Sequence, residues 1–588
     1  MEITRKVILL SFISLLLMGA GWPLKEKAGL TSSFGEWRDG HLHAGFDLPT
    51  GRINKEVYSV TDGWVMRART SPWGYGKAIY VKDSLGGVFV YAHLSSFAKD
   101  LDKRVRGEQL RRFSYETDLW FKKGEMLMKE GEMIGMSGRS GCLSPHLHFE
   151  MRDKGNNPID PLVRGFSFPD TIPPVIYALR FVPLDDTTTV CGSHLGIIIP
   201  VRKDTPVVSI KGKAGLEIET YDKVNGHSGQ LGPKEIELYL DNHLIRREYF
   251  DRFSYMCTGD SRLEFDYPYR LRTGRKFRRL FTLLGNELSF YEGRDGIFTS
   301  KDSGLVSIIV RDVASNEVKT QVFLGNSFSR QVTPREETRF EKAVDNVDKI
   351  MILNCGILIR GLNSFRWIES GKIKGIVKSG DSILVWNIRR KRYPSYKSPD
   401  SRCILKPSSD AIINTDLISV RMSPVRIAKD ETRWIWEPAI PLNKRTPLEI
   451  TLPYESSYYS IYELNGTEWK YCYTHKEGNK LKTTIDHLGT FTILKDSVPP
   501  AISIKNHYFT SKVPLMVDVN DSLSGVDFYS IKTYIDGMPT VFRYDLQMDR
   551  LIFEYPGEIA PGKHTLNIAL KDRQGNKTSG EWEITKGD

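Results

Sequence analysis

Residues 144–153 read SPHLHFEMRD, placing His146 and His148 one residue apart with Pro145 before them and Glu150 behind. In an extended strand, residues two apart share a face, so His146 and His148 project together while Leu147 and Phe149 turn toward a core. A single buried histidine is ordinarily a satisfied core residue, but a same-face pair bordered by apolar residues needs a shared polar object. The stretch therefore predicts a β-strand that carries chemistry on one side.

Upstream, residues 41–50 read HLHAGFDLPT. If this segment is extended, His43, Gly45 and Asp47 lie on one face, and the glycine leaves that face open between the imidazole and the carboxylate. His43 and Asp47 from one strand, with a histidine from another, make three neutral or anionic ligands. That is the number expected of a catalytic zinc whose fourth position is kept for water. The cysteines Cys142, Cys191, Cys257, Cys355, Cys403 and Cys472 are scattered without a CxxC pair, which argues against a thiolate zinc site. His93, at the end of VFVYAHL (88–94), and the other histidine of the pair remain to accept and return protons near neutral pH.

HAGFD (43–47), YAHL (91–94) and SPHLHFE (144–150), with the glycine-punctuated KKGEMLMKEGEMIGMSGRSG (122–141) before the last, resemble the lysostaphin/LytM-type zinc endopeptidases. Members of that family cut peptide bridges in bacterial peptidoglycan. The resemblance covers about residues 28–165 and implies an antiparallel β peptidase domain with one Zn2+ per chain. By it, His43, Asp47 and His148 bind the metal, and His93 and His146 flank it as catalytic residues. His41 falls outside the motif and is a bystander. Ser144 stands where many members have glycine, a change expected to be tolerated.

The chain has 588 residues, several times the usual domain size, and its 40% hydrophobic and 11% aromatic content is that of a globular protein. Its net charge of +11 favours polyanionic surroundings, such as acidic lipid or an anionic cell wall. Nucleic acid ranks last among them, because no RNP, zinc-finger or helix-turn-helix signature accompanies the charge. At the N-terminus, Arg5 and Lys6 precede an apolar run from Val7 to about Met18, followed by Gly19, Ala20 and Gly21. This is the layout of a secretory signal over 1–21, shorter than the ~20 apolar residues needed to span a bilayer. Export to the periplasm or envelope is expected, with membrane contact only through that segment.

KAIYVKDSLGGVFVYAHL predicts a hairpin of strands 77–83 and 88–94 turning through Gly86 and Gly87. The basic insertion 95–122 reads as a helix whose charges form a solvated face, or as a lid over the cleft. DTIPPVI (170–176) recurs as DSVPPAI (496–502), and further pieces match in the same order: TYDKVNG with VNDSLSG, IIVRDVASN with IALKDRQGN. Ordered matches indicate two copies of one module, at 168–328 and 496–588, each an immunoglobulin-like β-sandwich. Their repeated Asp and Asn residues suit turns better than calcium. Residues 329–495 are β-rich, with a short helix near 334–347. The fold class expected is mainly β: a peptidase domain over 22–167, then tandem sandwiches.

The leading function is an exported zinc metalloendopeptidase acting on the peptide cross-links of peptidoglycan. Two alternatives are a catalytically silent LytM-like scaffold that activates another wall hydrolase, and an envelope adhesin in which aromatic stretches such as RWIWEP (433–438) bind a partner. Oligomeric state is not encoded in these motifs.

Overall fold

A computed structural model describes residues 21–26, 29–38, 40–201, 205–226, 229–325, 350–353, 356–360, 365–369, 376–379, 383–388, 391–424 and 432–588. The apolar leader run and the short helix expected near 334–347 lie outside the described residues. The chain is mainly β, arranged in antiparallel sheets.

The N-terminal part opens with a small hairpin, β1 (Trp37–Arg38) and β2 (His41–Leu42). There follow β3 (Phe46–Pro49), β4 (Glu56–Tyr58), β5 (Gly63–Thr70), β6 (Ala78–Asp83), β7 (Val88–Ala92) and β8 (Leu94–Phe97). A helix, α1 (Lys99–Arg112), comes next, and then β9 (Thr117–Trp120), β10 (Leu127–Met128), β11 (Met133–Ser137), β12 (His146–Arg152) and β13 (Pro158–Ile159). The main sheet runs β10-β5-β6-β7-β12-β13, with β3 also on β12 and β9 also on β5; β4-β11-β8 forms a second sheet.

Alternation along β12 sets the layers. Leu147, Phe149 and Met151 enter the main core with Phe46, Phe89 and Tyr91, each large side chain contributing about 1.5–3 kcal/mol by leaving water. His148, Glu150 and Arg152 occupy the opposite face and are buried as well. The hairpin is present as β6 and β7, closed by the Gly87 amide donating to Asp83 Oδ1 at 2.8 Å and by Gly86 at φ +91°.

The insertion holds the expected helix, with Lys99, Lys103, Arg104, Arg111 and Arg112 exposed, but its other face is not solvated. α1 buries Leu101, Val105, Arg106 and Gln109, and after a left-handed Phe113 the chain returns to the main sheet, pairing β9 with β5. Arg106 is 5% exposed and makes a two-pronged ion pair with Glu558, at 2.8 and 2.5 Å, in the last module. A charge run that reads as a solvated face is thus partly an internal docking surface, because its partner lies 452 residues away in the chain.

Two sheets face each other between Val175 and Leu324 around Phe181, Leu216, Ile308 and Val322, and two more between Ala501 and Lys586 around Val517, Leu551 and Leu566. The repeat extends to detail. In the first module Val207–Val208 pairs in parallel with Phe323–Leu324, and in the second Tyr508–Phe509 pairs in parallel with Thr585–Lys586. The intervening region has its own core, in which Trp434 and Trp436 of RWIWEP are fully buried.

Gly45, between His43 and Asp47, lies against the β12 backbone, where an added Cβ would sit 2.1 Å from the Phe149 carbonyl oxygen. Gly45→Ala is therefore expected to push β3 off β12 and cost about 1–3 kcal/mol or more. A lowered first thermal transition checks it, and an unchanged one means the strand pair yields freely.

Candidate metal centre

β12 is flanked by β3 and β7, and its register puts His148 opposite Asp47 on one side and Ala92 on the other. His93 follows β7 directly, at φ +60°, a left-handed conformation uncommon for a residue with a side chain. That turn carries the chain from the main sheet to the second sheet and leaves the imidazole on the site side, fixed by Nδ1 at 2.8 Å from the Ser140 carbonyl. His43 is set by β2–β3 and by its Nδ1, 2.7 Å from the Ser33 carbonyl.

The side chains converge on one carboxylate oxygen. Asp47 Oδ1 is 3.1 Å from His43 Nε2, 2.8 Å from His148 Nδ1 and 3.4 Å from His146 Nε2, and His43 Nε2 is 3.0 Å from His148 Nδ1. The His93 and His146 rings lie 4.7 Å apart, and His93 is 5.8 Å from His148. All five candidate residues are therefore brought together, while His41 stays exposed on β2. One further donor joins them. Cys142 Sγ is 3.8 Å from His146 Nδ1, a neighbour hidden from a search for CxxC spacing.

His43, Asp47 and His148 offer ligand atoms that all lie within 4.8 Å of one another. Their separations of 2.8–3.1 Å are close to the ~3.3 Å between donors on one tetrahedral ion with bonds of about 2.0–2.1 Å. The remaining ring nitrogens are also fixed. His43 Nδ1 faces the Ser33 carbonyl, and His148 Nε2 lies 2.9 Å from Glu150 Oε1. Such outer partners hold a ligating imidazole in one tautomer and raise its basicity. The set fits a zinc ion.

Behind His148, Glu150 is fully buried. Burial opposes its charge, but Arg152, with Nε at 2.8 Å, and the His148 and Tyr75 hydrogen bonds hold its carboxyl down to about 2. Tyr255, contributed by the following module, donates to Glu150 Oε2 at 3.0 Å and lies under the Arg152 guanidinium, 4.9 Å from ring to cation. On the site side, burial would raise Asp47, yet the charge on His43 and hydrogen bonds from His146, His148 and His43 hold it well below the usual carboxylate range. Burial would lower His146 and His148, and their bonds to Asp47 instead raise them to about 10 and about 9. Burial and the two neighbouring imidazoles push His93 down to about 3.

The motifs do not reach Tyr75, Arg152 or Tyr255, and Glu150, although it ends SPHLHFE, carries no role in them. Extending the two-residue period from His148 brings Glu150 and Arg152 onto the same face; nothing local to the motifs points to Tyr255, 105 residues further on.

Among curated proteins, the cell division protein DipM of Caulobacter vibrioides is 31% identical over 149 residues, 24% of this chain and 20% of its own length. The DD-carboxypeptidase/endopeptidase Mpg of Neisseria meningitidis serogroup B is 30% identical over 135 residues, 23% of this chain and 24% of its own length. The N-terminal region belongs to the lysostaphin/LytM peptidase type. The chain spans about a fifth to a quarter of the curated relatives it matches. Among solved structures, a zinc-containing peptidase from Vibrio cholerae aligns at 26% identity over 25% of this chain and 40% of its own, with a TM-score of 0.18. Lysostaphin aligns at 20% identity over 36% of this chain and 88% of its own, with a TM-score of 0.19. No family model matches the chain.

In this LytM-type region, Glu150→Gln should weaken zinc binding by about 10–100-fold, the usual effect of losing an outer partner of a ligating histidine. Chelator competition checks it. Zinc must also displace the proton that metal-free His148 keeps up to about pH 9. Apparent zinc affinity should therefore climb about tenfold per pH unit between 7 and 9 and flatten above; affinity independent of pH across that window contradicts the assignment.

Proposed function

We propose that the chain is an exported zinc metalloendopeptidase that hydrolyses peptide cross-links of bacterial peptidoglycan. What supports the reading most is the convergence of two histidines and an aspartate on one point, with two further imidazoles beside it. Zinc held by His43, Asp47 and His148 would supply Lewis acidity toward a peptide carbonyl and toward water.

The chain's own groups do the rest. Nδ1 of His93 is tied to the Ser140 carbonyl, and Nδ1 of His146 lies 2.8 Å from the Ser144 carbonyl. Each ring is thereby set to hold its proton at Nδ1 and to use Nε2 for transfer. One takes a proton as the carbonyl is attacked and one delivers a proton to the leaving amine. On this reading residues 22–167 are the peptidase domain, 1–21 direct export, and 168–328, 329–495 and 496–588 are β domains carried with it. No helix among the described residues is long and apolar enough to cross a membrane.

The test pairs zinc content with release of new amino groups from purified peptidoglycan. The intact chain should carry about one zinc and release amines, and His148→Ala should do neither. His146→Ala should keep its zinc yet turn over about 10²–10⁴-fold more slowly, the usual contribution of a positioned acid or base. Zinc bound without any amine release by the intact chain sinks the peptidase reading in favour of the scaffold.

A further inference from the structure

The two sandwich modules each gather three aspartates. In the first, Asp170, Asp222 and Asp312 bring carboxylate oxygens within 4.8 Å of one another, and all three residues are buried. In the second, Asp496, Asp521 and Asp572 do the same at the matching positions of the repeat. The aspartates come from the lead-in before the first strand, the turn within the second matching piece, and the last hairpin turn.

Turn chemistry accounts for part of the first cluster. Asp312 Oδ1 accepts from the Ala314 and Asn316 amides at 2.8 and 2.9 Å, and Oδ2 accepts from the Asn316 side chain at 2.8 Å. Asp170 Oδ1 accepts from the Ile172 and Asn225 amides at 3.2 and 3.1 Å. Turn chemistry does not account for Asp222, which is 0% exposed and whose two carboxylate oxygens meet no donor at good hydrogen-bond geometry, only the Lys223 amide acting on them weakly. Asp170 Oδ2 is likewise buried and unpartnered.

Three oxygens without donors at good geometry, in a group of three buried carboxylates, leave like charges facing one another out of water. Such an arrangement requires either a proton or a cation. In the cation-free chain burial, and then the charge on Asp312, push Asp222 up to about 7, against a smaller pull from the Lys223 amide. An all-oxygen donor set with several carboxylates suits a hard divalent ion, calcium before zinc.

We propose that Asp170, Asp222 and Asp312 form a calcium site at the junction between the LytM-type region and the first sandwich. Its neighbours place it there. Phe168, two residues before Asp170, packs edge-on to Phe46 and Trp22 of the N-terminal core. Val224 belongs to that same core and Val313 packs against it. Asn316 Nδ2 also reaches the Asp170 carbonyl at 3.2 Å, as Asn576 Nδ2 reaches the Asp496 carbonyl at 3.3 Å in the second module. Calcium bound here ties the lead-in segment to two turns of the sandwich and fixes the angle at which the sandwich leaves the peptidase core.

The experiment uses the full chain, freed of calcium with EGTA, dialysed free of chelator and then loaded with zinc so that the histidine centre is filled. Calcium binding is followed by calorimetry, and melting is compared with calcium and in calcium-free buffer at the same zinc. Calcium should bind with a Kd of about 1 mM or tighter, in the range of extracellular modules, and should raise the melting temperature. Asp222→Asn, which keeps the side-chain volume, should bind one calcium fewer, and its melting should respond less to calcium. An intact chain, folded by circular dichroism, that takes up no calcium at 10-fold above about 1 mM and melts identically without calcium overturns the proposal. So does an Asp222→Asn chain that retains every calcium of the parent.

Discussion

Glu150 is an ionised carboxylate with no water around it, and much of the N-terminal architecture follows from satisfying it. An uncompensated charge at that depth would cost several kcal/mol. Four groups converge on it: the Arg152 guanidinium, His148 Nε2, and the Tyr75 and Tyr255 hydroxyls. They come from three separate constraints of the fold. Arg152 and His148 share its strand face, Tyr75 lies on the β5–β6 connection, and Tyr255 is supplied by the next module. Fixing the carboxylate fixes the His148 ring, and His148 meets Asp47 and His43 across the β3–β12 pair.

The later modules thus participate in building the site. The Tyr75 connection is held from its other end by Lys77, 3% exposed at its side chain and paired with Glu554 of the last module at 2.7 Å. The same module packs Phe528 and Tyr529 edge-on to Trp73 and pairs Asp545 with Arg139, at 3.2 Å, on the loop leading to His146. Burial would push Glu554 up, and the charges of Lys77 and Arg543 bring it below the ordinary glutamate value instead. Both loops that border the histidines are therefore anchored by residues more than 400 positions away in the chain. The physical result is a rigid rim around a site whose imidazoles need fixed orientations to share one carboxylate oxygen.

The two halves of the molecule differ in how they use buried charge. At the histidine centre every outer nitrogen has a named acceptor, so the ligand set is oriented before any ion arrives. At the Asp170, Asp222 and Asp312 cluster the oxygens face one another with too few donors, so an ion or a proton is needed to complete it. The first is preorganised and the second is unbalanced, and that contrast separates an N/O centre suited to chemistry from an all-oxygen site suited to holding two bodies together.

Much of this was legible in the sequence. A period of two placed His146 and His148 on one face, spacing with a bare glycine placed His43 and Asp47 on another, and ordered matches exposed the repeated modules; these are local properties, set by backbone geometry within a few residues. The same period, carried two steps further, holds Glu150 and Arg152. What the tertiary structure alone decided were the meetings between distant segments. Those are Tyr255 on Glu150, Arg106 and Lys77 on the last module, and three turn aspartates brought oxygen to oxygen. No local pattern encodes them, because side chains so far apart in the chain are joined only by how whole sheets pack, and packing is fixed by the sum of many apolar contacts rather than by any short motif.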